Sequence, residues 1–419
     1  MSSLPLNASK PASRGVQAFT VLVAALGYFV DIFDLLVFSV VRKPSLIDLG
    51  VPDAAQLEVG TRILNWQMAG LLLGGILWGV LGDKRGRLSV LFGSILTYSL
   101  ANIANAYVQS VDAYAWLRFV AGLGLAGELG AAITLVSEVL PKERRGYGTA
   151  IVAGVGVAGA VVAGLVGDKM HWRTAYLVGG GLGLLLLVLR IRVSESTMFA
   201  AARDGAARRG DLLLLFSSWQ RAWRYLRCIL VGIPLWFLVG ILVTFSPEFA
   251  KTLGVTGPVT AGKAVAAAYA GLVVGDLASG VVSQWLRSRR RALFGFSGMS
   301  FVFAVVFLHA RGVSPRTLYV IVALLGVFAG YWAVFVTAAA EQFGTNLRAT
   351  VTTTVPNFVR GMVIPITIAF RAMAGPADAP RLGIVNSALV IAVVLFVIGF
   401  WGIAVSEETF GRDLDFNEE

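Results

Sequence analysis

Twelve stretches of the chain are each apolar and long enough to cross the hydrocarbon core of a bilayer. They fall near 19–41, 61–82, 88–109, 113–139, 147–167 and 172–193, then near 225–247, 261–285, 292–310, 317–340, 350–373 and 383–405. Inside lipid every backbone N–H and C=O must be satisfied within the segment, so runs of this length fold as helices. The pattern predicts an all-α membrane protein of twelve transmembrane helices in two pseudo-symmetric six-helix bundles. Residues 1–193 form the first bundle, 194–224 a polar cytoplasmic linker, and 225–419 the second bundle with its tail. A soluble fold is excluded, because 57% hydrophobic against 14% charged residues leaves too little polar surface to dissolve a chain of 419. Residues 1–16 are polar and the first apolar run is of spanning length, so that run is expected to stay as an uncleaved helix.

The formal charge of +11 is topological rather than a sign of nucleic-acid binding. With the N-terminus in the cytoplasm, 22 of the 35 Lys and Arg residues lie on the inner side and 11 on the outer. That excess predicts a multi-pass protein of the cytoplasmic (inner) membrane with both termini cytoplasmic. The clusters at Lys84–Arg87, Lys142–Arg145 and Arg287–Arg291 all fall inside. One cysteine, Cys228, and two histidines, His171 and His309, supply neither a disulfide framework nor a metal site, and no cofactor is expected.

The halves also echo one another. Gly70, Gly74 and Gly79 in the second span recur 201 residues later as Gly271, Gly275 and Gly280 in the eighth. Glu138 and Arg145 recur 203 residues later as Glu341 and Arg348. A repeat of this length points to two parallel halves with a binding site near the midplane between them. The glycines, four or five apart, let neighbouring backbones approach closely.

The segment Gly79-Val-Leu-Gly-Asp83-Lys-Arg85-Gly86-Arg87 resembles the loop motif between the second and third helices of the major facilitator superfamily. Arg118-Phe-Val-Ala-Gly122 resembles that superfamily's fourth-helix motif, with Ala121 where Gln is usual. Glu195-Ser196 and Glu408-Thr-Phe-Gly411 resemble its end-of-half motifs. Gly122 to Ala132 is similar to the fourth helix of its metabolite:proton symporters. Glu341 to Arg348 resembles a loop of the organic anion and cation transporters, where proline usually replaces Gly344. In that branch an arginine nineteen residues past the loop glutamate goes with anionic substrates, and Arg360 stands there. The resemblance implies a secondary transporter working by alternating access, not an enzyme.

Charges inside spans cost about 3 kcal/mol or more to insert, so they persist where a cavity or a partner receives them. Asp31 and Asp34, three apart on the first span, and Glu128 on the fourth are the proton-coupling candidates. Burial and mutual repulsion favour their protonation, although each could instead only bind helices together. Arg360 cannot readily shed its proton and must be paired or hydrated. It either grips a substrate carboxylate or phosphate or holds a permanent salt bridge to Asp31, Asp34 or Glu128; an alternating version satisfies both. Asn357, Trp236 and Tyr331 are taken with Arg360 as the substrate-binding set. Arg118 either snorkels toward the headgroups or takes part in coupling. Asp276 either lines the inner vestibule or, the favoured reading, neutralises the Arg287–Arg291 cluster. Asn65 and Gln67 either contact substrate or cross-link helices.

Gating is assigned to Asp83, against the start of the eleventh helix, with Arg87, Glu138 and Arg145 in one half and the pair Glu341–Arg348 in the other. Two motifs mislead. Gly257 to Ala264 nearly spells a phosphate loop but lacks the magnesium-holding hydroxyl and a preceding strand, and Gly154 to Gly159 mimics a dinucleotide fingerprint inside a helix. The expected function is proton-coupled symport of a small organic anion by a functional monomer. The alternative is transport or efflux of a cationic or neutral solute. A transporter-like sensor finds little room in the short linker and tail, and a channel conflicts with latch charges on both halves.

Overall fold

The computed structural model describes residues 14–85, 87–127, 145–193, 215–376 and 379–411, and all regular structure among them is helical. The first half holds α1 (Arg14–Asp48), α2 (Asp53–Arg85), α3 (Arg87–Asn105), α4 (Val111–Leu125), α5 (Arg145–Lys169) and α6 (Trp172–Val193). The second holds α7 (Trp219–Phe237), α8 (Ala261–Trp285), α9 (Arg289–Leu308) and α10, which is split into α10a (Pro315–Ala329) and α10b (Trp332–Glu341). It ends with α11, split into α11a (Thr345–Gly361) and α11b (Val363–Ala374), and α12 (Gly383–Val405). The twelve numbered helices are the twelve predicted spans. The helices alternate in direction, so one end of the bundle carries Asp48 and Asp53 (the Asp53 end) and the other carries the linker.

Several starts are legible residue by residue. Ser110, Thr260, Ser288 and Ser314 cap α4, α8, α9 and α10a, each accepting a backbone N–H three residues on, and Pro315 occupies the first turn of α10a. The interruptions have causes too. Pro365 has no N–H to give the carbonyl of Gly361, and α11 breaks there, at Met362. A π turn over Leu238–Val243 continues α7, and a short helix, Ser246–Thr252, follows.

The sequence repeat is a packing repeat. α2 lies on α4 as α8 lies on α10a, α1 on α5 as α7 on α11a, and α3 on α6 as α9 on α12. A Cβ on Gly70 would sit 2.0 Å from the Phe119 carbonyl oxygen, and one on Gly271 would sit 2.0 Å from that of Ala323. Gly74 and Gly275 stand in the same relation to the carbonyls of Leu123 and Val327, at 2.3 and 1.9 Å. Only glycine permits these backbone contacts. Gly280, third in the predicted series, faces open space instead. The halves meet along two seams, α2 with α11 and α5 with α8, which exchange under the same pseudo-symmetry.

Candidate functional site

Arg360 is the next-to-last residue of α11a, two residues before the break at Met362. It is 2% exposed and faces the boundary between the halves. Its Nη1 donates to Asn357 Oδ1 at 3.4 Å, and its guanidinium lies 5.5 Å from the Trp236 ring centroid on α7. Its charge acts on two buried tyrosines, Tyr28 of α1 across the interface and Tyr269 of α8 in its own half. Its Nε is buried without an acceptor, and no carboxylate of the described residues lies within 4.0 Å. A permanent bridge to Asp31 or Asp34 is therefore absent; Glu128 lies outside the described residues. A buried guanidinium with unused donors is costly unless an anion completes its shell.

Asn357 accepts from Arg360 while its Nδ2 donates to the Ala126 carbonyl at 3.2 Å, tying α11 to the first half. It positions the arginine. Trp236 lies beside the guanidinium, and its Nε1 is buried without an acceptor. Tyr331 does not join them. The α10 break turns its ring into its own half, where the hydroxyl neighbours Ser297 of α9.

Asp31 and Asp34 are both buried on α1, at 1% and 0% exposure. Asp31 acts electrostatically on both Tyr28 and Asp34, so it stands between two polar clusters. The second cluster centres on Arg118, whose side chain is fully buried rather than snorkelling. Arg118 donates to Asn102 Oδ1 at 2.8 Å, Gln67 Oε1 at 3.3 Å and the Asp34 carbonyl at 3.2 Å. Gln67 also donates to the Leu35 carbonyl at 2.9 Å, so it cross-links helices. The Asp34 carboxylate rests against Gly179 of α6, at a point where any Cβ would collide with it.

Asp276 does not neutralise the arginine cluster. Its Oδ1 accepts the Ala333 N–H at 3.1 Å and so caps α10b from a neighbouring helix. Gly330 allows this approach, because a Cβ there would lie 2.5 Å from the Asp276 nitrogen.

Of the gating candidates, Glu138 and the side chains of Asp83, Arg87 and Arg145 lie outside the described residues. Glu341 pairs with Arg289 at 3.2 Å and accepts from Thr409 Oγ1 at 2.6 Å. The expected Glu341–Arg348 pair does not form, because Arg348 points back along its own loop and donates to the Phe343 carbonyl at 3.3 Å.

Sequence reasoning missed the contacts that close the Asp53 end. Among the described residues, four ion pairs cross between the halves there: Arg42–Glu248 at 2.6 Å, Asp53–Lys251 at 2.8 Å, Glu58–Arg371 at 3.4 Å and Asp168–Lys263 at 4.0 Å. Thr367 donates to Asn65 Oδ1 at 2.6 Å across the same boundary, so Asn65 also cross-links helices. Arg42 is fully buried and lies 4.4 Å from the Phe245 ring centroid. A charge so close to the end of the first span was the available signal; its partner, 206 residues away, was not.

The family model of the Major Facilitator Superfamily matches residues 24–366. The niacin transporter NiaP of Acinetobacter baylyi is 26% identical over 430 aligned positions, covering 94% of each chain. The 4-hydroxybenzoate transporter PcaK of Pseudomonas putida is 32% identical over 203, covering 46% of this chain and 44% of that one. Among solved structures, a D-xylose-proton symporter superposes with a TM-score of 0.68 at 16% identity, covering 95% of this chain and 99% of the other, a likeness of fold. Paired six-helix halves, a polar site between them and a profile match over most of the chain agree: this multi-pass membrane protein belongs to the major facilitator superfamily of transporters, and it is not an enzyme.

Proposed function

We propose that this protein is a proton-coupled symporter of a small organic anion carrying a carboxylate, bound between the halves at Arg360. One observation carries the reading: a buried guanidinium with an unused donor and no described carboxylate in contact. A carboxylate is the planar acceptor that such a fork matches. Trp236 beside it offers an apolar face for the rest of the solute. The substrates that the two relatives are named for support this, since niacin and 4-hydroxybenzoate are both small aromatic acids.

Coupling is assigned to Asp31, Asp34 and Glu128. Asp31 is the link between the Arg360 cluster and the Arg118 network, so an anion arriving at Arg360 alters the field in which that carboxyl holds its proton. Asp83, Arg87, Glu138, Arg145, Glu341 and Arg348 are assigned to closing the linker end, which we take as cytoplasmic. The bundles are taken as 1–193 and 225–419, the working unit as a monomer, and the membrane as the inner membrane. The closed Asp53 end suits the part of the cycle in which the site exchanges with the linker side.

Uptake by proteoliposomes of labelled carboxylic acids, amines and neutral solutes, with and without an inward proton gradient, tests the reading. Gradient-driven accumulation of acids is expected. Accumulation of amines or neutral solutes alone would establish the cationic or neutral alternative instead.

A further inference from the structure

A second cavity lies apart from Arg360, at the Asp53 end of the seam between α2 and α11. It is an open groove of about 750 Å³. Both walls run from cationic to apolar. On α2, Arg62, Trp66, Leu73 and Leu77 share one helix face, and on α11b Ile364, Ile368 and Arg371 do the same, each arginine toward the Asp53 end. From Arg62 to Leu77 the helix rises roughly 22 Å, about the depth of one leaflet with its headgroup.

Among the described residues the charge lining the groove is mostly positive: Arg62, Arg371 and Arg381 with one carboxylate, Glu58. Arg62 and Arg371 each share a largely exposed acid, Asp112 at 3.1 Å and Glu58 at 3.4 Å. Among the described residues the Arg381 side chain donates to the Ala372 carbonyl, at 3.1 Å, and forms no ion pair. Below the arginines the walls are Trp66, Phe119 and Ile368, and the groove opens sideways onto apolar surface, with Ile368 59% and Leu73 52% exposed. In a bilayer that surface meets acyl chains. Trp66 and Trp116 pack with ring centroids 4.5 Å apart at this level, where indoles favour the interface.

We propose that this groove binds an anionic phospholipid, its phosphate held by Arg381 with Arg371 and Arg62 and one acyl chain lying along Trp66, Phe119 and Ile368. A water-soluble anion fits poorly, because past the arginines the lining is mainly Trp66, Phe119, Ile364 and Ile368, and the polar Thr367 and Asn65 bond each other. The seam toward Arg360 is shut by the Thr367–Asn65 hydrogen bond and by Leu72 packed on Gly361. The two walls belong to different halves, so this lipid stabilises the closed Asp53 end and leaves when that end opens. Its binding thus acts on the transport cycle without touching the solute site.

Native mass spectrometry of the full chain, released from nanodiscs of equal phosphatidylglycerol and phosphatidylcholine, tests this. Wild type is expected to retain one phosphatidylglycerol in preference to phosphatidylcholine. Arg381→Gln should reduce that preference about fivefold, the effect of roughly one surface arginine. Ala69→Trp, which fills the groove, should abolish retention, with thermal melting confirming that each variant is folded. Excess inorganic phosphate should not displace the lipid. Equal retention of both lipids by wild type, an unchanged preference in both variants, or displacement by inorganic phosphate would each overturn the assignment; the last would mean a free-anion site.

Discussion

At the scale of single residues, Arg360 and Arg118 show how the same side chain takes opposite roles inside a membrane. Each side-chain nitrogen of Arg118 has a partner, in Gln67, Asn102 and the Asp34 carbonyl. Arg360 has one long hydrogen bond and a tryptophan face. Arg360→Lys retains the charge but removes the fork, so carboxylate affinity should fall by about tenfold or more, given roughly 1.5–3 kcal/mol per charged hydrogen bond. Substrate titration of uptake measures it, and an unchanged half-saturation would argue against contact with the solute. Arg118→Ala should instead lower stability by about 3 kcal/mol, because it strands buried amides, and thermal melting reads that loss. Replacing Asp31 or Asp34 by Asn, or Glu128 by Gln, is expected to abolish gradient-driven accumulation in at least one case while exchange persists. If all three variants still accumulate solute, the coupling group lies elsewhere.

Among the elements, α10 and the ion pairs of the Asp53 end are the informative parts. The α10 break exposes the first N–H groups of α10b, and Asp276 supplies the acceptor from α8. Asp276→Ala should destabilise by about 1 kcal/mol, whereas Asp276→Asn, which retains an acceptor oxygen, should lie close to wild type. At the Asp53 end, the hydrogen bond and charge of Lys251 hold the Asp53 carboxyl below its usual range, and Asp53 holds the Lys251 ammonium above its own. The acid's contribution is present above the ordinary Asp value and lost only as pH falls through the depressed one. The base's contribution is present below the ordinary Lys value and lost only as pH rises through the raised one. Between about pH 5 and 8 the pair is therefore constant. Asp53→Asn should change transport rate without moving the midpoint of the pH profile in that window; a moved midpoint would assign this latch to coupling.

For the whole molecule, the pseudo-symmetric seams matter more than any single contact. α2–α11 and α5–α8 are the surfaces on which the two halves meet, and the four ion pairs and the Thr367–Asn65 bond hold them together at one end. Arg42–Glu248 is the most buried of the four pairs. Glu248→Gln leaves the Arg42 charge without its partner and should shift the population toward opening of the Asp53 end by about 3 kcal/mol. Distance measurements between spin labels on α2 and α11b would report it as a longer separation, and an unchanged distribution would show that Arg42 is not a latch.

The local reading of the chain fixed what local chemistry controls. Twelve apolar runs could only be helices, because lipid offers no other partner for the backbone. Glycines at 70, 74, 271 and 275 announced two equivalent close packings. Rare charges within the spans, Arg360 above all, marked where polarity had to be received. Pairing across distance was not legible. Nothing near Arg42 or Asp53 in the chain announces Glu248 or Lys251, some two hundred residues on. Nor does Asp276 reveal, before the chain folds, that it will cap a helix rather than offset the arginines eleven or more residues later. Composition and periodicity report which groups must leave lipid; only the packed bundle decides which group each one meets, because in a low-dielectric interior partners are chosen by geometry at a few ångströms.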